Sequence, residues 1–360
     1  MTPTDVARRR LANQRLSGAP FRTPAEAVAW LAAVQAQDFA GAKWALSLRL
    51  AGAGEAALDQ AFDEGALLRT HLLRPTWHFV TPADIGWLLA LTAPRVHAAN
   101  APLYRQTGVD PEVRRRSRAA LTRALRGGRP LTRAELRAKL DQAGLEPGDG
   151  LRLAYILMAA ELDGLLCSGP RRGKQFTYAL LEERAPAAST LPREEALAEL
   201  ARRFFLSRGP ASAEDLAKWS GLTLGEARRG LAAVQGELMS EEVEGQVLWY
   251  GPAAPPARAR RPSALLLSIY DEYFSGYKDR RHIVAPDAAA RLRALGNAAT
   301  YVLVVDGQIA GAGRRTLSAA EAVVELHLFR PLAPAEDRAV AEALQRFGEF
   351  VGRPARLALV

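Results

Sequence analysis

The sequence predicts a mainly α-helical α+β fold, in which tandem winged-helix units precede a C-terminal β-rich or α+β element. Helix starts are marked where a Ser or Thr stands three positions before an acidic residue, because the two side chains can cap each other's free backbone amides. Two such starts stand in similar strings at 129–136 and 209–216, and each string is followed by a further helix pattern and two strand-like runs. A proline- and arginine-rich stretch at 252–262 precedes a last segment with a strand pattern of its own.

The first unit, 1–108, is expected to be a looser copy of the winged-helix order. Its second helix opens on Thr23 and Glu26 in capping positions, with Pro24 at the first helical position, where a missing amide costs nothing. Two strand-like runs then predict a hairpin. The expected elements are helices near 4–16, 24–34 and 55–64 and strands 67–72 and 76–80.

The next two units, 109–190 and 191–251, carry the clearer repeat. Capping pairs open helices at Thr132, Ser212 and Thr223. Each unit then follows the order helix, turn, helix and hairpin, which is that of a winged helix. The expected elements are helices that begin at Thr132 and at 151, 212 and 223, and strands 165–168, 175–180, 238–243 and 246–250.

The last part of the chain is expected to be a separate domain. Residues 252–262 are predicted to form a linker, because their prolines prevent a regular helix. Residues 263–360 are predicted to form a small α/β or barrel-like domain. Its expected elements are strands 264–269, 300–305, 322–328 and 356–360 and a helix near 334–350.

The charge of the chain favours a polyanionic partner. Lys and Arg number 48 against 39 Asp and Glu, a formal net charge of +9. Nine arginines lie between Arg95 and Arg129, against Asp110 and Glu112. Such a run is compatible with a solvated helical face, but next to winged-helix units it predicts contact with double-stranded DNA. We therefore expect a cytoplasmic, nucleoid-associated protein.

Several classes of function are excluded by what the sequence lacks. The single cysteine, Cys167, rules out a disulfide framework, a thiolate zinc cluster and an iron–sulfur site, each of which needs several cysteines. Neither a P-loop nor a His-Glu-x-x-His motif is present, so nucleotide hydrolysis and zinc chemistry are not expected. The longest apolar stretches fall short of the ~20 residues of a membrane span.

The most unusual local string is 34–45, which contains Gln35, Gln37 and Asp38 at what is predicted to be the end of an apolar helix. A glutamine amide does not take up a proton near neutral pH. It offers a donor and an acceptor on one rigid group, which suits it to orient a water molecule or to read a base edge. The alternative is structural, with the amides fixing the loop that follows the helix.

Three strings, at 34–37, 68–84 and 270–280, together resemble the winged-helix DNA glycosylases of the AlkZ type, a family that includes interstrand crosslink repair enzymes. They occur in the order found in that family. The resemblance implies a C-shaped arrangement of tandem winged helices, a C-terminal β-rich element and excision of N7-alkylated purines. The family's catalytic motif has the form Gln-x-Gln, which Gln35 and Gln37 match.

With this resemblance, residue roles can be assigned as hypotheses. Gln37 is expected to hold the attacking water, and Gln35 to position that water or the deoxyribose. Asp38 and Asp271 are possible supporting residues, Asp271 and its neighbour Glu272 by orienting basic groups. A minor alternative is a Schiff base on Lys43. The residues assigned to DNA contact are Arg74, Thr76 and His78 on the hairpin and Tyr277, Lys278 and Arg280 in the last string.

The expected activity is that of a monofunctional glycosylase, which needs no cofactor and no metal and acts on DNA with alkylated purines. No obligate protein partner is inferred. The competing interpretation is a winged-helix transcriptional regulator without chemistry, in which both glutamines are structural or read bases. A regulator would protect a defined sequence, whereas a repair enzyme would prefer damaged DNA.

Overall fold

The computed structural model describes residues 1–148, 150–253 and 261–360. The chain has an α+β fold, which confirms the predicted class. Residues 254–260, most of the predicted linker, lie outside the described residues. Among the residues that are described, no helix has both the length and the apolar character needed to cross a bilayer.

The N-terminal part combines five helices with a three-stranded antiparallel sheet, in which the strand Thr76–Val80 lies between Val34–Gln35 and Leu68–Leu72. The Thr2 hydroxyl caps the first helix, and the Thr23 hydroxyl caps the second, as predicted. The elements are α1 (Pro3–Asn13), α2 (Pro24–Leu31), β1 (Val34–Gln35), α3 (Phe39–Ser47), α4 (Glu55–Glu64), β2 (Leu68–Leu72), β3 (Thr76–Val80) and α5 (Ile85–Thr107).

The predicted helix over 24–34 is too long, and this changes the setting of the glutamines. Helix α2 ends at Leu31, and Ala32 has a positive φ of 61°, which turns the chain out of the helix. The following residues pair with β3, so that Gln35 lies opposite His78. Sheet pairing therefore overrides the helical propensity of the alanine-rich run, and Gln35 belongs to a strand.

The middle of the chain contains the two repeated strings. Thr132, Ser212 and Thr223 all form capping boxes with the acidic residue three positions on. The order of two helices followed by a hairpin is present after both strings, while the assignment of these units as winged helices stays a prediction. The elements are α6 (Pro111–Leu125), β4 (Leu131–Thr132), α7 (Arg133–Gln142), α8 (Leu151–Leu162), β5 (Leu166–Ser168), β6 (Thr177–Leu180), α9 (Leu181–Arg184), α10 (Arg193–Arg208), α11 (Ala213–Ser220), α12 (Leu224–Val234), β7 (Met239–Val243) and β8 (Gln246–Tyr250).

The C-terminal part is built on a five-stranded sheet whose strands lie side by side in chain order, antiparallel except for the last pair, Ala322–Leu328 and Ala355–Leu359. The elements are β9 (Ala264–Ser268), α13 (Glu272–Ser275), α14 (Pro286–Leu295), β10 (Tyr301–Val305), β11 (Gln308–Leu317), β12 (Ala322–Leu328), α15 (Pro334–Val351) and β13 (Ala355–Leu359).

Strand β11 and helix α14 were not expected from the sequence. The strand contains Gly311 and Gly313, which are unfavourable in strands by propensity. At Gly313 a Cβ atom would lie 1.9 Å from the carbonyl oxygen of Glu325 on the neighbouring strand, so a glycine allows the two backbones to approach. The glycines therefore lower the strand propensity of this segment, although its packing against the neighbouring strand requires glycine at position 313.

Helix α3, which directly follows the glutamines, is held by the C-terminal sheet. The indole nitrogen of Trp44 donates to the carbonyl oxygen of Leu266 in β9 at 2.6 Å. The same indole packs against Phe347 and Phe350 of α15, at ring-centroid distances of 5.2 and 5.1 Å. The position of α3 therefore depends on residues more than two hundred positions later in the chain.

A buried ion pair connects α10 with the segment after β9. Arg208 and Glu272 are both fully buried, and the Nη2 atom of Arg208 lies 2.7 Å from Oε2 of Glu272. The same carboxylate oxygen accepts a hydrogen bond from the indole of Trp219 at 2.8 Å. Burial would raise the pKa of Glu272, but the Arg208 charge and the hydrogen bonds to the carboxylate outweigh burial and lower it.

Replacement of this carboxylate is expected to destabilise the fold. Glu272→Gln leaves the Arg208 guanidinium buried without its counterion, so we expect the free energy of unfolding in urea to fall by about 3–5 kcal/mol. The control is Glu214→Gln, whose partner Arg228 is solvent-exposed, with an expected change below about 0.5 kcal/mol. Equal losses of unfolding free energy in the two variants would contradict a stabilising role of the Arg208–Glu272 pair.

The pH dependence of stability follows from the lowered pKa of Glu272. A carboxyl group whose pKa is lower in the folded state stabilises the fold above its ordinary value of 4.5. That contribution is lost as the pH falls below this value towards the folded-state pKa. We therefore expect the wild type to lose more unfolding free energy than Glu272→Gln between pH 6 and pH 3, roughly the range in which carboxylates titrate.

Candidate active site

The two glutamines project beside the turn of the β2–β3 hairpin. Gln35 is the last residue of strand β1, and Gln37 lies two residues later in a bend. The Oε1 atom of Gln35 accepts a hydrogen bond from Nη2 of Arg74 at 3.2 Å. The Oε1 atom of Gln37 accepts one from the backbone nitrogen of Trp77 at 3.3 Å. Both carboxamides are therefore oriented by the same hairpin.

The two glutamines differ in exposure. Gln35 is 8% exposed, whereas Gln37 is on the surface. Each carbonyl oxygen has a second lone pair, and no hydrogen bond from either NH₂ group is found within the described part of the chain. Both amides therefore retain donor and acceptor capacity for a substrate or a water molecule.

The backbone that carries the glutamines is fixed from two sides. On one side the amide of Gln35 donates to Oε1 of the buried Glu272 at 2.9 Å. On the other side the nitrogen of Ala36 donates to the carbonyl oxygen of Trp77 at 2.7 Å, and Nε of Arg69 donates to the carbonyl oxygen of Ala36 at 3.0 Å. This segment has little freedom to move, which is the condition for precise orientation of a small reactant.

Gln35 lines a cavity of about 430 Å³ that carries positive charge. The cationic side chains in its wall are Arg74 from the hairpin, Lys218 from α11 and Arg280 from the segment before α14. The remaining wall is formed by Ile269, Tyr270, Ser275, Gly296, Asn297, Ala299 and Thr300.

A second cavity, of about 580 Å³, is lined by Trp77, whose backbone holds Gln37. Its aromatic wall is completed by Phe176 and Tyr178, and the Arg69 guanidinium lies 4.3 Å from the Trp77 ring centroid. The other lining residues are Thr132, Arg133, Ala134, Arg137, Leu153, Lys174 and Gln175. The glutamine segment thus adjoins two cavities that carry basic side chains.

Four of the six residues assigned to DNA contact are accessible. Lys278 is exposed, and Thr76 is half-buried on the hairpin. Arg74 and Arg280 are half-buried, and both line the cavity beside Gln35. For these four residues DNA contact stays a prediction.

The assignment of His78 and Tyr277 to DNA contact is wrong in this structure, since both side chains are fully buried. His78 lies inside the sheet with its Nδ1 atom 2.9 Å from the carbonyl oxygen of Thr76, and burial lowers its pKa to about 3. The Tyr277 hydroxyl donates to the carbonyl oxygen of Arg208 at 2.8 Å and accepts from Gln14 at 2.9 Å. Both residues are part of the core beneath the site.

The two aspartates proposed as supporting residues have structural roles. Asp38 caps α3, because its Oδ1 atom accepts a hydrogen bond from the amide of Gly41 at 3.1 Å. Asp271 is fully buried and pairs with both terminal nitrogens of Arg49, at 2.8 and 2.9 Å. The sequence suggested that Asp271 orients basic groups of the site. Because it is paired with Arg49, it does not orient those of the cavity wall.

Lys43 is not available as a nucleophile. Its side chain is buried, and Nζ lies 2.7 Å from a carboxylate oxygen of Glu55 and 2.6 Å from one of Asp59. To form a Schiff base, the amine would have to leave both ion pairs.

Sequence reasoning missed the residues that support the glutamines. Arg208 and Trp219 bind Glu272, which binds the Gln35 backbone, but they lie 64 and 53 positions away in the chain. The available signal was an arginine on the apolar side of a helix, at the end of α10. Groups of three or more His, Cys, Asp or Glu side chains in metal-binding proximity are not found in the described ranges.

Known proteins resemble this chain in sequence and in fold. A family model described as DNA glycosylase AlkZ-like matches residues 28–350. A curated relative from Streptomyces sahachiroi, named an interstrand DNA cross-link repair glycosylase, is 26% identical over an alignment of 318 residues, and the alignment covers 84% of this chain and 85% of the relative.

The solved structure of Streptomyces sahachiroi DNA glycosylase AlkZ superposes with a TM-score of 0.81 at 23% identity, and the match covers 99% of this chain and all of that one. It shares the fold of this chain. Since the family model spans most of the residues, the chain belongs to the AlkZ-like family of DNA glycosylases.

Proposed function

We propose that this glycosylase removes N7-alkylated purines from double-stranded DNA by hydrolysis, with the attacking water positioned by Gln35 and Gln37. The observation that carries the proposal is the attachment of both carboxamides to one hairpin, by the hydrogen bonds from Arg74 and from the Trp77 backbone. Two oriented amides beside basic cavities suit a reaction that needs orientation and charge stabilisation more than proton transfer.

The chemistry of the substrate explains why amides suffice. Alkylation at N7 places a positive charge on the purine, so the base leaves with the electrons of the glycosidic bond and needs no acid. The C1′ atom then carries oxocarbenium character, and the oxygen of a water molecule forms the new bond to C1′. The water loses its proton to solvent, and the products are the free base and an abasic site.

The exposure of the two residues suggests a division of roles. Gln37 is on the surface, and its carbonyl oxygen has a free lone pair that can accept a hydrogen bond from the attacking water. Gln35 is nearly buried against Arg74, which suits it to contact the deoxyribose or to orient the same water. Asp38 is committed to the cap of α3, so we assign it no part in the chemistry.

We further propose that the substrates include interstrand crosslinks, the activity named for the curated relative. A crosslinked base is tethered to the opposite strand and cannot be turned fully out of the duplex, so an open site is required. Gln37 meets this requirement, because it lies on the surface rather than at the bottom of a closed pocket.

The first test is release of N7-methylguanine from methylated duplex DNA under single-turnover conditions with enzyme in excess. We expect Gln37→Ala and Gln35→Ala each to lower the rate by about 10²–10³, the loss typical of one orienting group. DNA affinity should stay close to that of the wild type.

A matched control is Gln345→Ala, which removes an exposed glutamine bonded to Glu349 on α15. It should react at the wild-type rate. Tight binding without base release by the wild type would refute the proposed substrate and favour a non-catalytic DNA-binding role.

A second test concerns the class of glycosylase. Because Lys43 is held between two carboxylates, we expect an intact strand with an abasic site until alkali is added, and no covalent complex on treatment with borohydride. A trapped complex that disappears in Lys43→Arg, which retains the charge but cannot form a Schiff base, would show a lyase mechanism instead.

A further inference from the structure

We propose that the cavity beside Gln35 is a phosphodiester subsite, in which Arg74, Lys218 and Arg280 bind one phosphate of the DNA backbone next to the nucleotide whose base is removed. The inference rests on the proposed function for the identity of that nucleotide. The binding of a phosphate follows from the cavity itself.

The first argument is the uncompensated charge. Among the described residues, no carboxylate oxygen lies within 4.0 Å of the charged nitrogens of these three side chains. Their partners are neutral. Arg74 donates to the carbonyl oxygen of Lys218 at 3.3 Å as well as to Gln35, and Lys218 donates to the carbonyl oxygen of Ser275.

Arg280 has the least satisfied environment of the three. Its guanidinium lies 4.2 Å from the ring centroid of Phe274, and its Nε atom is buried without a hydrogen-bond partner. Two fully buried arginines are paired with carboxylates, Arg208 with Glu272 and Arg49 with Asp271, whereas the buried Arg10 and Arg69 lie over the aromatic rings of Tyr277 and Trp77. The cavity wall thus carries partly buried positive charge that a bound anion would stabilise.

The acidic residues nearest to the cavity are already committed. Glu272 is paired with Arg208, and Asp215 accepts hydrogen bonds from the backbone amides of Ser212 and Lys278. Burial lowers the pKa of Lys218 to about 8, and the charges of Arg74 and Arg280 act in the same direction and outweigh the opposing charges of Glu272 and Asp215. Burial also lowers the pKa of Arg74 and of Arg280. An anion in the cavity would favour the charged form of all three groups.

The second argument is the shared wall. Gln35 lines the same cavity as the three cations, and its side-chain carbonyl oxygen accepts a hydrogen bond from Arg74. A phosphate is joined to the C1′ atom of its own nucleotide by a short chain of bonds. A phosphate held by Arg74, Lys218 and Arg280 would therefore bring a C1′ atom close to the glutamines.

The test measures affinity for a duplex that contains one tetrahydrofuran abasic analogue, which cannot be hydrolysed, over a range of salt concentrations. We expect Lys218→Gln and Arg280→Gln each to reduce the slope of log K against log salt, and the double variant to reduce it by about 0.9, the loss of one phosphate contact. The control of equal charge is Arg356→Gln on the edge strand β13, which removes the partner of Glu321 and should leave the slope unchanged.

A scan with methylphosphonates then locates the contact. Each phosphate that flanks the analogue is replaced in turn by a neutral methylphosphonate. We expect one position at which the wild type loses about tenfold or more in affinity, the strength of a charged hydrogen bond. At that position the methylphosphonate should lower the affinity of Arg280→Gln less than that of the wild type, because one of the three contacts to the phosphate is already absent.

The outcomes separate the subsite from the proposed reaction. The subsite is overturned if the salt slopes of the two variants equal that of the Arg356 control. It is also overturned if methylphosphonates lower the DNA affinity of Arg280→Gln and of the wild type equally, even where base release is normal. Reduced slopes and a single sensitive phosphate support the subsite, even if N7-methylguanine is not released and the proposed function fails.

Discussion

The Glu272 carboxylate is the contact on which the site depends. One of its oxygens accepts the backbone amide of Gln35, and the other accepts Arg208 and the indole of Trp219. A full charge inside the protein is tolerated only when it is paired and hydrogen-bonded, and here those same bonds join α10, α11 and the C-terminal segment to strand β1. The strand that carries Gln35 is thereby fixed by segments that lie far from it in the chain.

The hairpin provides the second constraint. Arg74 and the Trp77 backbone hold the two carboxamides, and Arg69 holds the carbonyl group between them. Removal of a base that is already cationic calls for a positioned water and a stabilised oxocarbenium ion, which a rigid polar surface can supply. An open surface is also compatible with a base tethered to both strands.

Much of this fold could be predicted from the sequence, because its signals are local. Capping pairs such as Thr132 with Glu135 and Ser212 with Asp215 depend on residues three positions apart, and both form as predicted. The setting of Gln35 could not be predicted, since pairing with β3 overrides an alanine-rich helical run. Strand β11 was not predicted because it contains glycines, which are unfavourable in strands but allow the close approach of β12.

The residues that support the two glutamines could not be predicted from the sequence. The paired glutamines stand out in the sequence, but the burial of Tyr277 and the pairing of Glu272 with Arg208 depend on contacts between distant segments. Tyrosine and histidine near basic residues are typical of a DNA surface, and equally of a hydrogen-bonded core. A single sequence carries no signal that separates these two environments.

The most direct test of the account is a crystal structure of the protein with a duplex in which a cationic pyrrolidine replaces one deoxyribose, as a mimic of the oxocarbenium ion. The account predicts the ring nitrogen within roughly 3 Å of Gln37 Oε1 or of a water held by it, the range of a hydrogen bond, with Gln35 beside the ring. A pyrrolidine bound away from both glutamines, with other side chains around its nitrogen, would contradict it.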